Sequence, residues 1–231
     1  MQIDILQLIE GAREATGLTV IIDVFRAFST ASYVFARGAT SIIPVGDLDF
    51  AYELKEKNPE LLLLGEREGQ RPPGFDYGNS PAEIEAVDFT GRTIVQTTSA
   101  GTQGIANAYR AEQIITGSFV NAKAIVSYIR SKAPKRVCLV CMGQEAIEPS
   151  DEDTLCAKLI SDSLIAISTD FEQIRTYLRK YRTAAKFFDP EKTWAPEHDF
   201  DLCLHLDRFS FVLVVKPGMD GLLCLQKVDV D

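Results

Sequence analysis

Long apolar segments and export signals are both missing from this sequence. No hydrophobic run reaches the length of about 18 residues that a membrane-spanning helix needs. The chain starts Met-Gln-Ile-Asp, without the basic and apolar regions of a secretory signal peptide. These absences predict a cytoplasmic protein with no membrane partner.

Positive charge is also in short supply. Lysine and arginine total 24 against 33 aspartate and glutamate residues, which gives a net charge of -9. Such a chain repels a nucleic-acid backbone unless its basic residues are concentrated in one patch. The dense basic cluster at 175–186 is interleaved with tyrosines in a helical pattern, which favours a solvated helix face over a nucleic-acid patch. We therefore predict no nucleic-acid partner.

Common cofactor and redox motifs are missing as well. The dinucleotide fingerprint G-x-G-x-x-G and the P-loop G-x-x-x-x-G-K-[ST] are both absent. Cys138 and Cys141 have the spacing of a zinc knuckle, but they lie in an apolar strand-like run, where residues three apart point to opposite faces. Because the five cysteines are scattered and odd in number, we expect core thiols and no disulfide framework.

The sequence does contain a regular alternation of short apolar runs and longer amphipathic stretches. The apolar runs are typical of strands buried on both faces, and the alternation predicts an α/β fold with three layers (α/β/α) and a mostly parallel or mixed sheet. We interpret residues 1–231 as a single compact domain, with two tightly packed subdomains as the alternative. The predicted strands are 19–23, 41–45, 61–64, 93–96, 113–116 and 136–141, and the predicted helices are 28–37, 48–57, 102–108, 122–131 and 152–167.

The last quarter of the chain has a different pattern from the motif-bearing core at 1–168. Within 170–231, a helical pattern covers 171–188, and two apolar runs at 211–215 and 222–225 are separated by Lys-Pro-Gly-Met-Asp-Gly. The proline and glycines indicate a hairpin or two edge strands. Both histidines of the chain lie in this quarter, far from the acidic loops, so we expect them to be structural or exposed rather than a general base.

Polar residues collect immediately after the predicted strands. In open α/β sheets, ligands bind beyond the carboxyl ends of the strands. Asp23 and Arg26 follow the first predicted strand, and Glu66 and Arg67 follow the third. Every central strand but one ends in a polar loop, which is more than turn statistics require. The later loops are Gly74-Phe75-Asp76-Tyr77-Gly78-Asn79-Ser80-Pro81, Thr97-Thr98-Ser99-Ala100-Gly101-Thr102, Gly117-Ser118-Phe119-Val120-Asn121 and Ser150-Asp151-Glu152-Asp153.

These loops carry the chemistry of a combined cation and anion site. Their carboxylates suit magnesium, which keeps several waters and needs only one or two such ligands. Arg26 and Arg67 offer planar guanidinium groups to a phosphate, and the turn at 97–102 opens a helix whose free N–H groups point at an anion. A metal on one side and a guanidinium on the other is what phosphoryl transfer needs. The carboxylates are Asp23, Glu66, Asp76, Glu152 and Asp153.

Each signal also has a purely structural interpretation. Asp23 is suited to capping the next helix, and the segment 80–83 reads as a capping box with proline at the first helical position. The segment 150–153 also fits a capping box, and Arg26 and Arg67 fit the role of partners in surface ion pairs. All of them together at one edge of a sheet favour a functional site.

Taken together, the loops resemble the 2-phosphosulfolactate phosphatase family. The resemblance covers about residues 1–165, in the family's order, and thins beyond residue 170. It implies a magnesium-dependent hydrolase that converts 2-phospho-3-sulfolactate to 3-sulfolactate and phosphate, a step of coenzyme M synthesis in some organisms. The matching motifs are Asp23-Val24-Phe25-Arg26-Ala27-x-Ser29-Thr30, Gly65-Glu66-Arg67-x-Gly69, Gly74-Phe75-Asp76-x-Gly78-Asn79-Ser80-Pro81, Thr97-Thr98-x-x-Gly101-Thr102, Gly117-Ser118-x-x-Asn121 and Glu152-Asp153.

Two departures from the family's pattern leave the substrate open. Ala100 stands where the family's turn Thr-Thr-x-Asn-Gly-Thr-Arg has asparagine, and Gln103 stands where it has arginine. If that arginine holds the sulfonate or carboxylate of the substrate, this chain acts on a different one. The alternatives are therefore a phosphatase for another phospho-hydroxy acid or a sugar phosphate, and a non-catalytic anion-binding protein.

The residue assignments follow from the resemblance and from the chemistry of the loops. We predict a small phosphorylated acidic metabolite as partner, a homodimer, and magnesium bound to Asp23 with help from Glu152 or Asp153. The spacing leaves open whether water attacks directly or Asp23 first takes the phosphoryl group. Asp23, Arg26, Glu66, Arg67 and Asp153 are predicted to be catalytic, and Asp76, Asn79, Ser80, Thr97, Thr98, Ser99, Gly101, Thr102 and Asn121 are predicted to bind substrate.

Overall fold

The computed structural model of the chain describes residues 1–218 and 221–230. Within them, strands and α-helices alternate through most of the chain, and two 3₁₀ segments cover Phe119–Asn121 and Arg182–Phe188. The strands are β1 (Gln2–Gln7), β2 (Gly17–Ile22), β3 (Ser41–Pro44), β4 (Leu62–Gly65), β5 (Thr93–Thr97), β6 (Ala111–Gly117), β7 (Arg136–Cys141), β8 (Phe211–Pro217) and β9 (Leu223–Asp229). The helices are α1 (Leu8–Glu14), α2 (Ala27–Ala36), α3 (Leu48–Lys57), α4 (Pro81–Ile84), α5 (Gly101–Asn107), α6 (Ala122–Lys132), α7 (Asp151–Leu164), α8 (Phe171–Leu178) and α9 (Glu197–Cys203).

The strands and helices predicted for the motif-bearing core are present, with shifts of a few residues at their ends. β1 and α1 precede the first predicted strand and were not expected from the sequence pattern. The helical patterns predicted at about 171–188 correspond to α8, which ends at Leu178, and to the 3₁₀ segment that follows it. Ala184 and Phe187 in that segment are buried and three residues apart, which matches the three-residue repeat of a 3₁₀ helix.

The strands form one mixed sheet in the order β1-β7-β2-β6-β8-β9-β3-β5-β4. β1, β7, β2 and β6 are parallel to one another, and so are β3, β5 and β4. The hairpin of β8 and β9 joins these two groups through antiparallel pairs with β6 and β3. The neighbouring pairs β6–β8, β8–β9 and β9–β3 are each antiparallel. The two parallel groups therefore run in opposite directions.

The C-terminal hairpin is confirmed, but its alternative of two edge strands is wrong because β8 and β9 lie inside the sheet. Val212 and Val214 of β8 enter one hydrophobic core, and Phe211 and Leu213 enter the core on the other face. A strand that is apolar on both faces is stabilised by a central position between helix layers. The turn residues Met219 and Asp220 lie outside the described residues.

The sheet bends strongly around helix α2, whose residues 27–35 are buried. Four strands separate β2 from β5, and the two run in opposite directions. Even so, the Gln96 side chain of β5 donates a hydrogen bond to the Ala27 carbonyl of α2 (3.0 Å), and a Cβ on Gly104 of α5 would lie 2.6 Å from Ile21 of β2. The sheet is therefore curved, and its curvature brings the loops after β2 and β5 together. The expectation that one edge of the sheet collects them is wrong, because the two strand groups point in opposite directions.

Helices cover both faces of the sheet, which confirms the predicted three layers. One core contains residues of α6 and α7, and the other contains residues of α1, α2 and α5. Cys141 belongs to the first core and Cys138 to the second, as their spacing predicts, and the five cysteines, all within the described ranges, are unpaired thiols. In the part of the chain that the structure describes, no helix has the length and apolar character to cross a membrane.

Gly65 ends β4 in a conformation that suits glycine alone. Its φ is 155°, and a Cβ there would lie 1.9 Å from the Thr97 carbonyl oxygen. We expect Gly65→Ala to lower the free energy of unfolding by about 3 kcal/mol or more, because backbone and not a flexible side chain has to move. Urea unfolding followed by circular dichroism measures the loss.

Gly91→Ala is the matched control for this substitution. Gly91 also has a positive φ of 74°, but a Cβ there meets no atom within 4 Å. Gly91→Ala should lower the free energy of unfolding by about 1 kcal/mol, the strain of placing alanine in the left-handed conformation. Equal losses for the two variants would mean that the approach of Thr97 does not restrict Gly65.

Candidate active site

A narrow cleft opens where the loops after β2, β4, β5 and β7 meet the C-terminal segment of the chain. Its volume is about 100 Å³, which is room for a group of phosphate size and a few waters. Carboxylates outnumber basic side chains in its wall. The acids are Asp23, Glu66, Glu68, Glu145, Glu152 and Asp153, and the basic residues are Arg26 and Lys186.

Backbone N–H groups hold the central acids of the cleft in place. Asp153, on the first turn of α7, accepts hydrogen bonds from Val24 N on one carboxylate oxygen and from Gly143 N on the other, both at 2.8 Å. One carboxylate therefore ties the loop after β2 to the loop after β7. Asp23 Oδ1 accepts a hydrogen bond from Ala27 N (3.1 Å), so Asp23 supports the start of α2 and also faces the cleft.

Burial and crowding raise the pKa values of these acids. The pKa of Asp23 is raised to about 6, first by burial and then by the charges of Glu66 and Glu152. The pKa of Asp153 is raised well above its ordinary value by burial and by the charges of Asp23 and Glu152. Burial also raises the pKa of Glu152, and a hydrogen bond from Thr183 Oγ1 (2.6 Å) opposes that shift. Such an arrangement favours a bound cation.

The acids fit magnesium better than a metal that needs a full protein cage. Among residues 1–218 and 221–230, no three histidine, cysteine, aspartate or glutamate side chains converge on one metal position. Magnesium needs only one or two carboxylates and keeps several waters. Asp23 Oδ2 and Glu152 Oε1 accept no hydrogen bond from the described residues, so each keeps an oxygen for a cation.

Glu66 fastens the loop after β5 to the loop after β4. Its Oε1 accepts a hydrogen bond from Ser99 N (2.7 Å), and its Oε2 accepts hydrogen bonds from Gly69 N (2.7 Å) and Ser99 Oγ (3.1 Å). The carboxylate is therefore occupied by neighbouring donors. It fixes two pieces of the cleft wall relative to each other.

Arg26 is held at the cleft by a buried ion pair that the sequence did not reveal. Its Nη1 lies 2.7 Å from Asp199 Oδ2 and 2.7 Å from the Trp194 carbonyl oxygen. The two charged side chains are 2% and 0% exposed. The other oxygen of Asp199 accepts hydrogen bonds from Ser80 Oγ (2.8 Å) and Ala82 N (2.9 Å). Ser80, predicted to bind substrate, therefore holds the partner of Arg26.

Lys186 enters the cleft from the 3₁₀ segment Arg182–Phe188. Its Nζ donates a hydrogen bond to the Phe25 carbonyl oxygen (3.2 Å). Burial and the nearby charge of Arg26 lower its pKa, and the charges of the cleft acids oppose that shift. A second positive group therefore faces the same small space as the acids.

The interpretation of the basic cluster at 175–186 as a solvated face is wrong at its last residue. Arg175 and Arg179 are exposed and pair with surface acids. Lys186 turns inward because the chain leaves the helical path after α8, and Thr183, Ala184 and Phe187 of the 3₁₀ segment are buried. His198 lies on the surface beside a glutamate, which agrees with the expectation that it is exposed.

Arg67 lies outside the cleft wall. Its guanidinium donates hydrogen bonds to the carbonyl oxygens of Glu66 (2.7 Å) and Gly46 (3.1 Å) and to Thr97 Oγ1 (2.7 Å). These bonds connect the ends of three loops in the β3-β5-β4 group. The structure therefore shows Arg67 and Thr97 in scaffold contacts.

Other predicted substrate-binding residues also have structural partners away from the cleft. Thr98 and Thr102 bond reciprocally, each backbone N–H to the other's hydroxyl, at the start of α5. Asp76 accepts a hydrogen bond from Leu63 N (2.8 Å). Asn121 caps the 3₁₀ segment after β6. The motif loops thus contain residues that shape the site as well as residues that line it.

Three predicted substrate-binding residues do lie at the cleft. Ser99 and Asn79 line it, and Gly101 is so close that a Cβ there would lie 2.9 Å from Asp23 Oδ2. Asn79 is 5% exposed, and its Oδ1 has no hydrogen-bond partner within the described part of the chain. Asn79 and Trp194 also line a second cavity of about 460 Å³ beside the cleft.

The main residues that sequence reasoning missed come from the C-terminal segment. Thr183, Lys186 and Trp194 line the cleft, and Asp199 lies behind Arg26. The signals were a lysine inside the apolar run Ala-Ala-Lys-Phe-Phe and the single tryptophan of the chain. The short motifs matched in the sequence end at Asp153, so motif matching could not detect them.

The ion pair of Arg26 and Asp199 predicts a large loss of stability when one charge is removed. Asp199→Asn leaves the guanidinium buried without a counter-ion, and we expect the free energy of unfolding to fall by about 3–5 kcal/mol. The double variant Arg26→Met/Asp199→Asn removes both charges and keeps an oxygen for Ser80, so it should recover most of that loss. Urea unfolding measures both variants.

Asp201→Asn is the matched control, because Asp201 lies on the same helix in an exposed pair with Arg175. Its cost should be less than about 1 kcal/mol. Losses of similar size for Asp199→Asn and Asp201→Asn would contradict the importance of the buried pair.

The raised pKa of Asp23 predicts how the stability of the metal-free protein depends on pH. The unfolded chain loses this proton near pH 3.8 and the folded chain near pH 6, so the folded state holds the proton more tightly. That stabilisation is complete below about pH 4 and is lost as the pH rises through about 6. Asp23→Asn should therefore be more stable than wild type by about 3 kcal/mol at pH 8, with the difference vanishing near pH 4.

Urea unfolding with a chelator present, repeated at pH 4, 6 and 8, checks this expectation. The asparagine oxygen can still accept the hydrogen bond from Ala27, so the comparison isolates the charge. A variant that is less stable than wild type at pH 8 would show that the charge of Asp23 is well compensated.

Comparison with known proteins agrees with the motif resemblance. A family model described as 2-phosphosulpholactate phosphatase matches residues 3–218. A protein of Caldicellulosiruptor saccharolyticus named "Probable 2-phosphosulfolactate phosphatase" is 39% identical over 217 residues, covering 92% of this chain and 86% of its own. Proteins of the same name from Thermotoga petrophila (36% over 212 residues, 87% and 89%) and Thermoplasma acidophilum (34% over 195 residues, 84% and 84%) are also similar. The chain belongs to the 2-phosphosulfolactate phosphatase family.

Proposed function

We propose that this chain is a magnesium-dependent phosphatase that hydrolyses 2-phosphosulfolactate to sulfolactate and phosphate. The observation that carries the proposal is a narrow cleft in which Asp23, Glu152 and Asp153 face Arg26 and Lys186. Carboxylates that bind a cation, placed opposite fixed positive groups that bind an oxyanion, are suited to phosphoryl transfer. Family membership supports the substrate, which the names of the relatives contain.

Asp23 and Glu152 would hold the magnesium ion, each through the carboxylate oxygen that no described donor occupies. Asp153 is the third acid of the proposed set. Its two backbone hydrogen bonds fix the loops after β2 and β7 relative to each other. Bound magnesium would polarise a phosphate oxygen and offset the crowded negative charge.

The cleft and the neighbouring cavity together suit a small acidic phosphate ester. The cleft of about 100 Å³ would accommodate the phosphoryl group, and the cavity of about 460 Å³ the rest of the molecule. Asn79 lines both, and its Oδ1 has no hydrogen-bond partner among the described residues. We propose that this amide contacts the substrate beyond its phosphate.

The protein's contribution to the reaction is positioning and electrostatic stabilisation. The bond between phosphorus and the ester oxygen breaks, a water oxygen ends on phosphorus, and the leaving oxygen takes up a proton. Arg26 is held rigidly by Asp199 and uses three of its five N–H groups on the described residues, so two remain for a phosphate oxygen. Either water or the Asp23 carboxylate attacks first, and acid-quench trapping of a phosphoprotein distinguishes these routes.

A role in coenzyme M synthesis, a cytoplasmic location and a homodimer stay predictions from the sequence. They concern the setting in which the protein works and do not affect the chemistry of the cleft.

Asp23→Asn should lower phosphate release from 2-phosphosulfolactate by about 10³-fold, because it removes a charged group at the reacting centre. Magnesium chloride should raise the melting temperature of the wild type but not that of Asp23→Asn. Asp76→Asn is the control, since Asp76 comes from a motif loop but has structural partners outside the cleft. It should retain most of the activity.

The same assay on a panel of phosphate esters separates the alternative functions. Release from another phospho-hydroxy acid or a sugar phosphate, but not from 2-phosphosulfolactate, would assign a different substrate. Stabilisation by these esters without release from any of them would favour an anion-binding protein. Full activity of Asp23→Asn would overturn the proposed metal site.

A further inference from the structure

Lys186 is a partly buried charge without a counter-ion among the described residues. Its Nζ makes one hydrogen bond, to the Phe25 carbonyl oxygen at 3.2 Å. No carboxylate oxygen of the described ranges lies within the ion-pair distance of 4.0 Å from it. An ammonium group has three N–H donors, so two remain unused. The Nζ of Lys186 also lies 5.3 Å from the centroid of the Phe187 ring, a weaker attraction than an ion pair. Moving a charge out of water without a counter-ion is costly, which points to an anionic ligand at this position.

Arg26, the other cation in the cleft wall, differs from Lys186 in this respect. The carboxylate of Asp199 lies 2.7 Å from its guanidinium, and both groups are buried. Asp199 therefore neutralises the positive charge of Arg26 without any ligand. Lys186 is left as the cleft cation whose charge is available to an anion.

The position of Lys186 also fits a tetrahedral oxyanion. It lines the same 100 Å³ space as Asp23 and Glu152, yet it touches neither acid at ion-pair distance. An anion held beside a cation on these acids would therefore share the small space that the ammonium lines.

We propose that Lys186 is a catalytic residue that binds a non-bridging oxygen of the substrate's phosphoryl group. The inference rests on the proposed function and deepens it, because it assigns the phosphate contact to the C-terminal segment, beyond the sequence motifs that end at Asp153. Lys186 keeps its proton throughout and stabilises negative charge on the phosphoryl oxygens. The bond from phosphorus to the ester oxygen breaks and the bond to water oxygen forms without a covalent change at the lysine.

The test compares Lys186→Met, Lys186→Arg and the exposed control Lys180→Met by calorimetric titration of inorganic phosphate into magnesium-loaded protein. Lys186→Met should weaken phosphate binding by at least about tenfold, because a charge-assisted hydrogen bond is lost. It should lower kcat/KM for 2-phosphosulfolactate by about 100-fold or more. Lys186→Arg should restore part of both quantities, and Lys180→Met should match wild type.

Thermal unfolding separates this role from a structural one. Lys186→Met removes a partly buried charge that has no counter-ion, so its melting temperature in phosphate-free buffer should equal or exceed that of wild type, and magnesium should still stabilise it. A clear drop in melting temperature, or loss of the magnesium effect, would mean that Lys186 supports the fold or the metal site and would overturn the proposal.

The phosphate titration keeps this proposal distinct from the proposed function. Wild type that releases no phosphate from 2-phosphosulfolactate would refute the substrate, while the phosphate affinities would still report on Lys186. Unchanged phosphate affinity in Lys186→Met, or wild type that binds no phosphate with magnesium present, would refute the role of Lys186.

Discussion

The crowding of buried carboxylates in one small cleft is the constraint around which this structure is built. Asp23, Glu152 and Asp153 are each less than 10% exposed, and burial raises the pKa of all three. Such an arrangement opposes folding unless hydrogen bonds and cations offset it. The protein provides the hydrogen bonds through backbone N–H groups of the loops after β2 and β7. The negative charge that these hydrogen bonds leave uncompensated is the physical reason to expect a metal.

The sheet topology explains how residues from distant strands reach this cleft. The group containing β2 and β7 and the group containing β4 and β5 run in opposite directions, joined by the C-terminal hairpin. A flat sheet would put their carboxyl ends at opposite edges. Because the sheet curves around the buried helix α2, the ends converge. The C-terminal hairpin is therefore part of what creates the site, although none of its described residues lines the cleft.

Residues within one motif divide between chemistry and support. In the loop after β4, Glu66 lines the cleft while Arg67 connects backbone carbonyls behind it. In the turn after β5, Ser99 lines the cleft while Thr98 and Thr102 close the start of α5. A site that must hold like charges together needs rigid walls, so supporting residues are as much a part of the motif as ligands. The structure separates the two sets by their hydrogen-bond partners.

The sequence by itself determined the α/β class, the elements of the core, the family and the loops that carry the acids. These follow from local patterns, namely buried apolar runs, amphipathic stretches and short motifs, which are legible without long-range contacts. It could not determine that Arg26 pairs with Asp199, that Arg67 faces away from the cleft, or that Lys186 leaves a solvated helix and enters it. Those outcomes depend on which segments meet, over separations from 21 residues for Arg67 and Gly46 to 173 residues for Arg26 and Asp199. Only the curvature of the sheet and the docking of residues 182–203 decide them, because partner choice for a charged side chain is a property of the packed chain.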